Sequence, residues 1–485
     1  MFMLPRRSPI FPLLLLAIGV PSVSMAVEWR GSVDASEVYT DNLQLVSGGL
    51  KEDAWVTRVK PSVGATIKAK RLELDLDYGL EGLLYANDSD RNGVFSNLST
   101  YAVLGLIGDE LWLRGAALID QVNVSPSKAL TSSNINITGN RSDATTWNVG
   151  PQWRRSLFNK SELDAYFTAG RVSYDEPAAQ DVKTLVGQAT IRSSSTGPGD
   201  VGYEIKYEFN KLDYEISGDV KVQSLYLQLS YQINETFRLT GLVGADSDFT
   251  DPNDSSLSQS RWETGFSRVL GRNEFAFSFG RRFWGNTYFF EWNRRQGDHA
   301  QLRMAYSETP STTDIVALQK VPSGEQDDAF DLPDSGLDRP GTARRFIRKR
   351  GDAGVDMAFH KTSFYVGAFW ETRDNITLQT DPFSVPDEDA YGVSASLSRE
   401  LGHKTVFHMS VSHTTRELIV NDPLSSNGIT IDNDTLLQGS AGIDYDLGLH
   451  TFVSLGARYN DRKGAETGFG NYREFSAQLG LTREF

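Results

Sequence analysis

The stretch Arg71-Leu72-Glu73-Leu74-Asp75-Leu76-Asp77-Tyr78 decides the fold. Its even positions are apolar and its odd positions are charged. A β-strand points successive side chains to opposite faces, so this segment is a strand with one apolar and one polar face. The pattern recurs along the chain. Val201, Tyr203, Ile205, Tyr207 and Phe209 alternate with Gly202, Glu204, Lys206, Glu208 and Asn210. Leu225, Leu227, Leu229 and Tyr231 alternate with Ser224, Gln228, Ser230 and Gln232, and Phe275, Phe277 and Phe279 with Glu274, Ala276 and Ser278. No helical period competes with this alternation after residue 27.

The connections set the architecture. Ala69-Lys70, Gly108-Asp109, Asn159-Lys160, Asn234-Glu235, Arg272-Asn273, His360-Lys361, Gly402-His403 and Gly448-Leu449 read as tight hairpin turns. Between them lie longer polar stretches at 41–53, 87–93, 125–143, 248–256, 310–339, 374–389, 421–432 and 461–470. Short turns at one end and long loops at the other is the pattern of an outer-membrane barrel. Segment counting gives about 22 strands (range about 18–22) of roughly 10–14 residues, inside the span known for such barrels. An even count makes the first and last strands antiparallel, so the sheet can close. The sequence thus predicts an all-β, transmembrane, antiparallel up-and-down β-barrel over residues 27–485.

Composition agrees. A chain of 485 residues would by length alone hold about three domains, but the alternation runs unbroken. Hydrophobic residues make up 39% and aromatics 11%, with 43 glycines. A barrel needs apolar residues on its outer face only, which reconciles a modest hydrophobic share with a membrane protein. A soluble sandwich, β-helix or propeller is the rival, and no fixed repeat of 20–50 residues supports the latter two. The absence of cysteine excludes disulfide scaffolds, thiolate metal sites and Cys nucleophiles. A net charge of −15 argues against nucleic-acid binding.

Arg6 and Arg7, the apolar run from Ile10 to Val20, and Ser24-Met25-Ala26 read as a secretory signal peptide over residues 1–26. The run is shorter than the roughly 20 residues a spanning helix needs. At the other end, Phe475, Ala477, Leu479, Leu481 and Phe485 share one strand face. This row resembles the signal read by the bacterial barrel-assembly machinery. Arg483 interrupts it at a position where a long side chain can keep its charge in water.

Scattered words carry a family resemblance. They are Tyr39-Thr40-Asp41-Asn42, the segment from Leu76-Asp77-Tyr78 to Tyr85, Asn87-Asp88-Ser89-Asp90-Arg91-Asn92, Val124-Ser125-Pro126 and Arg348-Lys349-Arg350-Gly351. Together they resemble the PEP-CTERM-system-associated outer-membrane β-barrel family. The stretch around Gln319-Lys320-Val321 departs from that pattern into an acidic loop. The resemblance implies a part in exopolysaccharide export or surface assembly, with periplasmic export proteins as partners. It implies no catalytic residues.

The residues themselves point away from catalysis. No Gly-x-Ser-x-Gly elbow, Walker loop or His-Glu-x-x-His is present. His299, His360, His403 and His450 fall near the short turns, and His408 and His413 fall on opposite faces of one strand. Asp88, Asp90, Asp248, Asp251, Asp254, Asp327, Asp328, Asp331, Asp334 and Asp338 fall in the long loops. They suit solvation and divalent bridging to lipopolysaccharide rather than a dedicated calcium site. No catalytic residue, cofactor or metal is expected.

Arginines cluster differently. Arg281 and Arg282 precede an aromatic stretch, and Arg344, Arg345 and Arg348 follow the longest loop. These five are the candidate lumen selectivity residues, because charges facing the lumen tune what passes. The 310–339 loop is long for a compact connection and is expected to fold inward as a constriction. The nine tryptophans are expected mainly at the two membrane interfaces. Three functions stay open: an accessory or conduit for exopolysaccharide, a diffusion porin for small solutes, and a structural or adhesion barrel.

Overall fold

A computed structural model describes residues 27–157, 160–177, 179–193, 197–247, 257–297, 299–320, 322, 335–376, 387–421, 429–464 and 470–485. Residues 1–26, read above as a signal peptide, lie outside the described residues, as do Asp248, Asp251, Asp254, Asp327, Asp328, Asp331 and Asp334. The strands are β1 (Val27–Thr40), β2 (Ala54–Lys68), β3 (Leu72–Tyr85), β4 (Gly93–Ile107), β5 (Leu111–Asn123), β6 (Arg141–Ser156), β7 (Ser161–Tyr174) and β8 (Val182–Ser193). Then follow β9 (Val201–Tyr214), β10 (Gly218–Asn234), β11 (Phe237–Asp246), β12 (Gln259–Leu270), β13 (Asn273–Arg282), β14 (Gly285–Gln296) and β15 (Ala300–Ser311). The last are β16 (Phe346–Phe359), β17 (Thr362–Asn375), β18 (Glu388–Glu400), β19 (Thr405–Asn421), β20 (Ile429–Gly448), β21 (Thr451–Lys463) and β22 (Tyr472–Glu484). Among the described residues an α-helix, α1 (Thr313–Gln319), lies between β15 and β16.

Each strand pairs antiparallel with its sequence neighbours, and β1 pairs with β22 from Ser32↔Glu484 to Thr40↔Ser476. The 22-stranded sheet therefore closes. Closure pairs the backbone groups that hydrocarbon would leave unsatisfied. The outer face carries exposed Leu225, Leu227, Leu229, Phe277, Phe279 and Leu479. A closed barrel with such an exterior spans the bacterial outer membrane. The inner face carries the polar set. Arg30 on β1 reaches over Gly64 to Asp77 at 3.2 Å and Asp75 at 3.4 Å. A Cβ at Gly64 would sit 2.6 Å from the Asp77 carboxylate, so a larger residue there would push that side chain aside.

The tight turns occur where the sequence places them, except that Asn159 of the Asn159-Lys160 turn lies outside the described residues. His299, His360, His403 and His450 all lie in or beside them. Leu449 and His450 both adopt positive φ (54° and 58°), the geometry of a type I′ hairpin turn. Two expectations need correction. The long-loop rim also has short connections, at 215–217 and 283–284, so the asymmetry is weaker than the sequence reading. And α1 is helical, where no helical segment was expected. Thr312 caps it, its Oγ1 accepting from Ile315 N.

Tryptophans form two outward belts. Trp55, Trp262 and Trp370 lie toward the long-loop rim, and Trp29, Trp153 and Trp292 toward the short-turn rim. Trp292 stacks on Phe275 with centroids 5.7 Å apart. Rings that are apolar with one polar edge settle at such interfaces.

The face assignment makes a paired prediction. Leu227→Arg at mid-wall should destabilise the barrel by about 2–4 kcal/mol. Gln228→Arg, one residue on but facing the lumen, should change stability little. Denaturant unfolding of both variants in lipid vesicles checks this.

Candidate functional site

Near the long-loop rim the alternation changes phase. On β9 the apolar residues sit on the outer face at Ile205, Tyr207 and Phe209, then on the inner face at Leu212 and Tyr214, both buried. Val172 and Tyr174 on β7 and Val220 on β10 do the same. These residues form an apolar cluster inside the lumen, and Ile315 and Leu318 of α1 pack on it. A matching cluster of Val38, Val56, Leu83 and Tyr85 on β1–β3 receives Ile135 from the β5–β6 connection. The lumen walls thus turn apolar where chain folds back onto them.

Two connections fold inward. The first, residues 124–140, crosses to the β1–β3 and β20–β22 wall. Tyr85 Oη donates to Ile135 O at 2.7 Å, Asn136 Nδ2 to Glu474 Oε1 at 2.7 Å, and Tyr472 Oη to Leu130 O at 2.6 Å. The second is the β15–β16 connection, described at 312–320, 322 and 335–345. It reaches the far wall at β7–β10. The buried Asp314 carboxylate accepts from Tyr174 Oη at 2.6 Å, Tyr214 Oη at 2.9 Å and Gly341 N at 3.1 Å. The inward folding expected for 310–339 is seen in its described parts.

One carboxylate links the two segments. Asp434 on β20 accepts from Arg416 on β19 (Nε at 2.8 Å, and also Nη2) and from Arg462 Nε on β21 at 2.6 Å. Arg416 Nη1 in turn donates to Gly336 O at 3.0 Å, in the second segment. Arg462 donates to Pro126 O at 2.9 Å and to Lys128 O, in the first. All three side chains are buried. A second cluster anchors the other flank. Glu371 accepts from Arg348 and Arg350 at 2.9 Å and from Arg373 at 2.8 Å, and Arg373 holds Asp338 at 2.7 Å.

Between the segments remains an opening of about 440 Å3. Asp120 and Asp338 line it with Arg141, Lys320 and Arg416. A separate hollow of about 780 Å3 lies toward the short-turn rim. Its wall carries Ser363, Ser396, Ser398, Ser410, Ser440 and His408. His408 Nδ1 lies 3.3 Å from Asp444. Among the described residues no cluster of His, Asp and Glu suits a metal ion.

The five candidate arginines separate. Arg348 faces the lumen but is committed to Glu371. Arg282 is held by Asp246 at 2.8 and 3.0 Å and lies over the Trp284 ring. Arg345 is buried and donates to Asp219 O at 3.1 Å, tying the second segment to β10. Arg344 is half-buried, and burial, with Arg339 nearby, lowers its pKa from the usual arginine value. Arg281 is a correction: it pairs with outward Trp262 and shares the face of Phe277 and Phe279, so it points away from the lumen. A free arginine eyelet is therefore not what these residues form. Phe475, Leu479, Leu481 and Phe485 do share the outward face of β22, and Phe485 N donates to Gly31 O at 2.8 Å.

Arg416, Asp434 and Arg462 were missed by the sequence reading. Their signal is three charged inner-face positions near the long-loop ends of consecutive strands. Asp88 and Asp90 are accounted for locally: Asp88 caps Asp90 N and pairs with Arg91 at 2.8 Å.

No family model matches the chain, and no curated protein matches it. Solved structures resemble it in fold. The siderophore receptor PirA from Pseudomonas aeruginosa is 11% identical over 94% of this chain and 80% of its own, with a TM-score of 0.43. The ferric-catecholate import receptor Fiu from E. coli K12 is 10% identical over 94% and 81%, with a TM-score of 0.49. OccAB3 of Acinetobacter baumannii is 9% identical over 95% and 99%, with a TM-score of 0.37.

Two outcomes follow from this geometry. Asp434→Ala leaves two guanidiniums buried without their carboxylate, a loss of about 3–5 kcal/mol. Both inward segments should loosen, read as faster amide exchange across 124–140 and 312–320. The second outcome concerns pH. Burial pushes the Asp314 carboxyl up to about 6, against the hydrogen bonds from Tyr174, Gly341 and Tyr214 that favour its charge. A raised folded-state pKa means docking of α1 is strongest below the ordinary carboxylate value and weakens as pH rises through about 6. Exchange over 313–319, corrected for intrinsic rates, should rise between pH 4 and pH 8. Asp314→Asn should flatten that rise.

Proposed function

We propose that this outer-membrane barrel is a diffusion channel for small polar solutes, filtered at the opening between its two inward segments. That opening carries the reading. At about 440 Å3 it falls in the range that holds a small molecule. It presents acid (Asp120) and base (Arg141, Lys320) together, while Asp338 and Arg416 line it from within their pairs with Arg373 and Asp434. A field set up across such a gap orients dipolar solutes and favours those carrying both charges.

A second reading has its own support. The serine-rich hollow toward the short turns offers neutral hydroxyls that exchange hydrogen bonds with a sugar chain without holding it. With the resemblance to PEP-CTERM-associated barrels, this supports an accessory or conduit role in exopolysaccharide export or surface assembly, with periplasmic export proteins as partners. That role requires the inward segments to leave the lumen during transport. In either reading, Phe475, Leu479, Leu481 and Phe485 suit recognition by the barrel-assembly machinery.

Bilayer conductance and polysaccharide fractionation together test the two. Diffusion through the opening predicts steady conductance, a shift toward cation selectivity in Lys320→Glu, and unchanged polysaccharide in a deletion strain. Unchanged reversal potential in Lys320→Glu contradicts a solute filter at this opening. Periplasmic accumulation of polymer with loss from the surface supports the second reading instead.

A further inference from the structure

The outer wall carries a groove in its aromatic and aliphatic cover that the channel does not explain. In register across β6–β9 run Trp153, Ala165, Ala189 and Tyr207. The next row holds Phe167, Gly187 and Phe209. Three small residues thus form a floor between ring-bearing walls. Trp153 and Tyr207 stand three strands apart, about 14 Å at ordinary strand spacing. The result is a groove of about 710 Å3, flanked on its β4–β5 side by Leu111, in register with Trp153, and by Ile107. Added bulk has little room on that floor: a Cβ at Gly187 would already meet the Phe167 ring at 3.2 Å.

The groove runs from the short-turn rim up into the membrane band. Its lining there is apolar, so water is a poor occupant and a hydrocarbon chain a good one. Its mouth is charged. Arg155 continues the outward face two residues below Trp153, with its side chain about half exposed. Its contact with Glu110 is only 4.0 Å, and Glu110 is equally exposed. A pair this long and this wet holds its guanidinium weakly. Guanidinium is the side chain best shaped for a phosphate. Long loops face outward and short turns face the periplasm in such barrels. A lipid entering at the short-turn rim therefore comes from the inner leaflet.

We propose that this groove is a binding site for one glycerophospholipid of the periplasmic leaflet. An acyl chain lies over Ala165, Ala189 and Gly187, and its phosphate meets Arg155. The site is separate from the lumen and independent of what the channel carries.

The test is native mass spectrometry of the full barrel extracted in mild detergent, with bound lipid identified by fragmentation. Wild type should retain one phospholipid. Ala189→Phe fills the floor, and the lost burial of two methylene groups alone corresponds to about a tenfold fall in affinity, so retention should drop. Arg155→Gln leaves the groove intact and should lower retention of anionic phospholipids more than neutral ones. Val243→Phe, on the exposed outer face of β11, serves as a control that should retain the lipid. Heat-modifiable gel mobility shows that each variant is a folded barrel. Equal retention in wild type and both groove variants overturns the proposal, because the lipid is then merely annular. Retention of lipopolysaccharide in place of phospholipid, or of no lipid, also overturns it.

Discussion

Backbone N–H and C=O groups in hydrocarbon have no water to turn to, and closing the sheet through β1 and β22 is what this chain does about it. The rest follows from that closure. The outer face must be apolar, which fixes the alternation seen in Leu225, Leu227 and Leu229. The inner face is relieved of that demand and can hold charge. A 22-strand closure also encloses more space than wall side chains can fill. Chain must enter the lumen or water must fill it, and here two connections enter.

Their entry explains why so many ionic groups are buried near the long-loop rim. Asp434 lies between Arg416 and Arg462, and each arginine spends its remaining donors on a different inward segment. The triad is thus less a source of net stability than a device that fixes where the segments sit. Replacing buried ion pairs with apolar residues is often neutral in energy, whereas backbone carbonyls such as Gly336 O and Pro126 O need donors once buried. Asp314 works by similar means from the opposite wall. Two tyrosines and one amide saturate a carboxylate that water no longer reaches.

The wall was legible in the sequence because strand alternation is local. Arg71–Tyr78 displays its two faces without knowing any partner, and a hairpin such as Leu449-His450 is set by neighbouring residues. The lumen was less legible because its contacts are remote. Asn136 meets Glu474, and Arg462 meets Pro126, across separations that no local pattern encodes. Two signals were present all the same. The phase change on β9, from Phe209 to Leu212 and Tyr214, marks where the inner wall receives other chain. The Thr312 cap before Ile315, Val316 and Leu318 marks a short helix inside a loop. Arg281 misled because charge alone does not say which face a strand residue occupies. Its parity with Phe277 and Phe279 does.

The two inward segments sit together in the lumen and define one opening. The chain has no cysteine, so engineered thiols are the only labelling sites. Ser132 and Ala317 line the opening from opposite segments. Pulsed electron paramagnetic resonance between spin labels at these two positions, in the folded barrel in lipid, measures the gap directly. A single short and narrow distance distribution is the predicted result. A broad distribution extending to the width of the barrel would mean that the segments lie outside the lumen, and would contradict this arrangement.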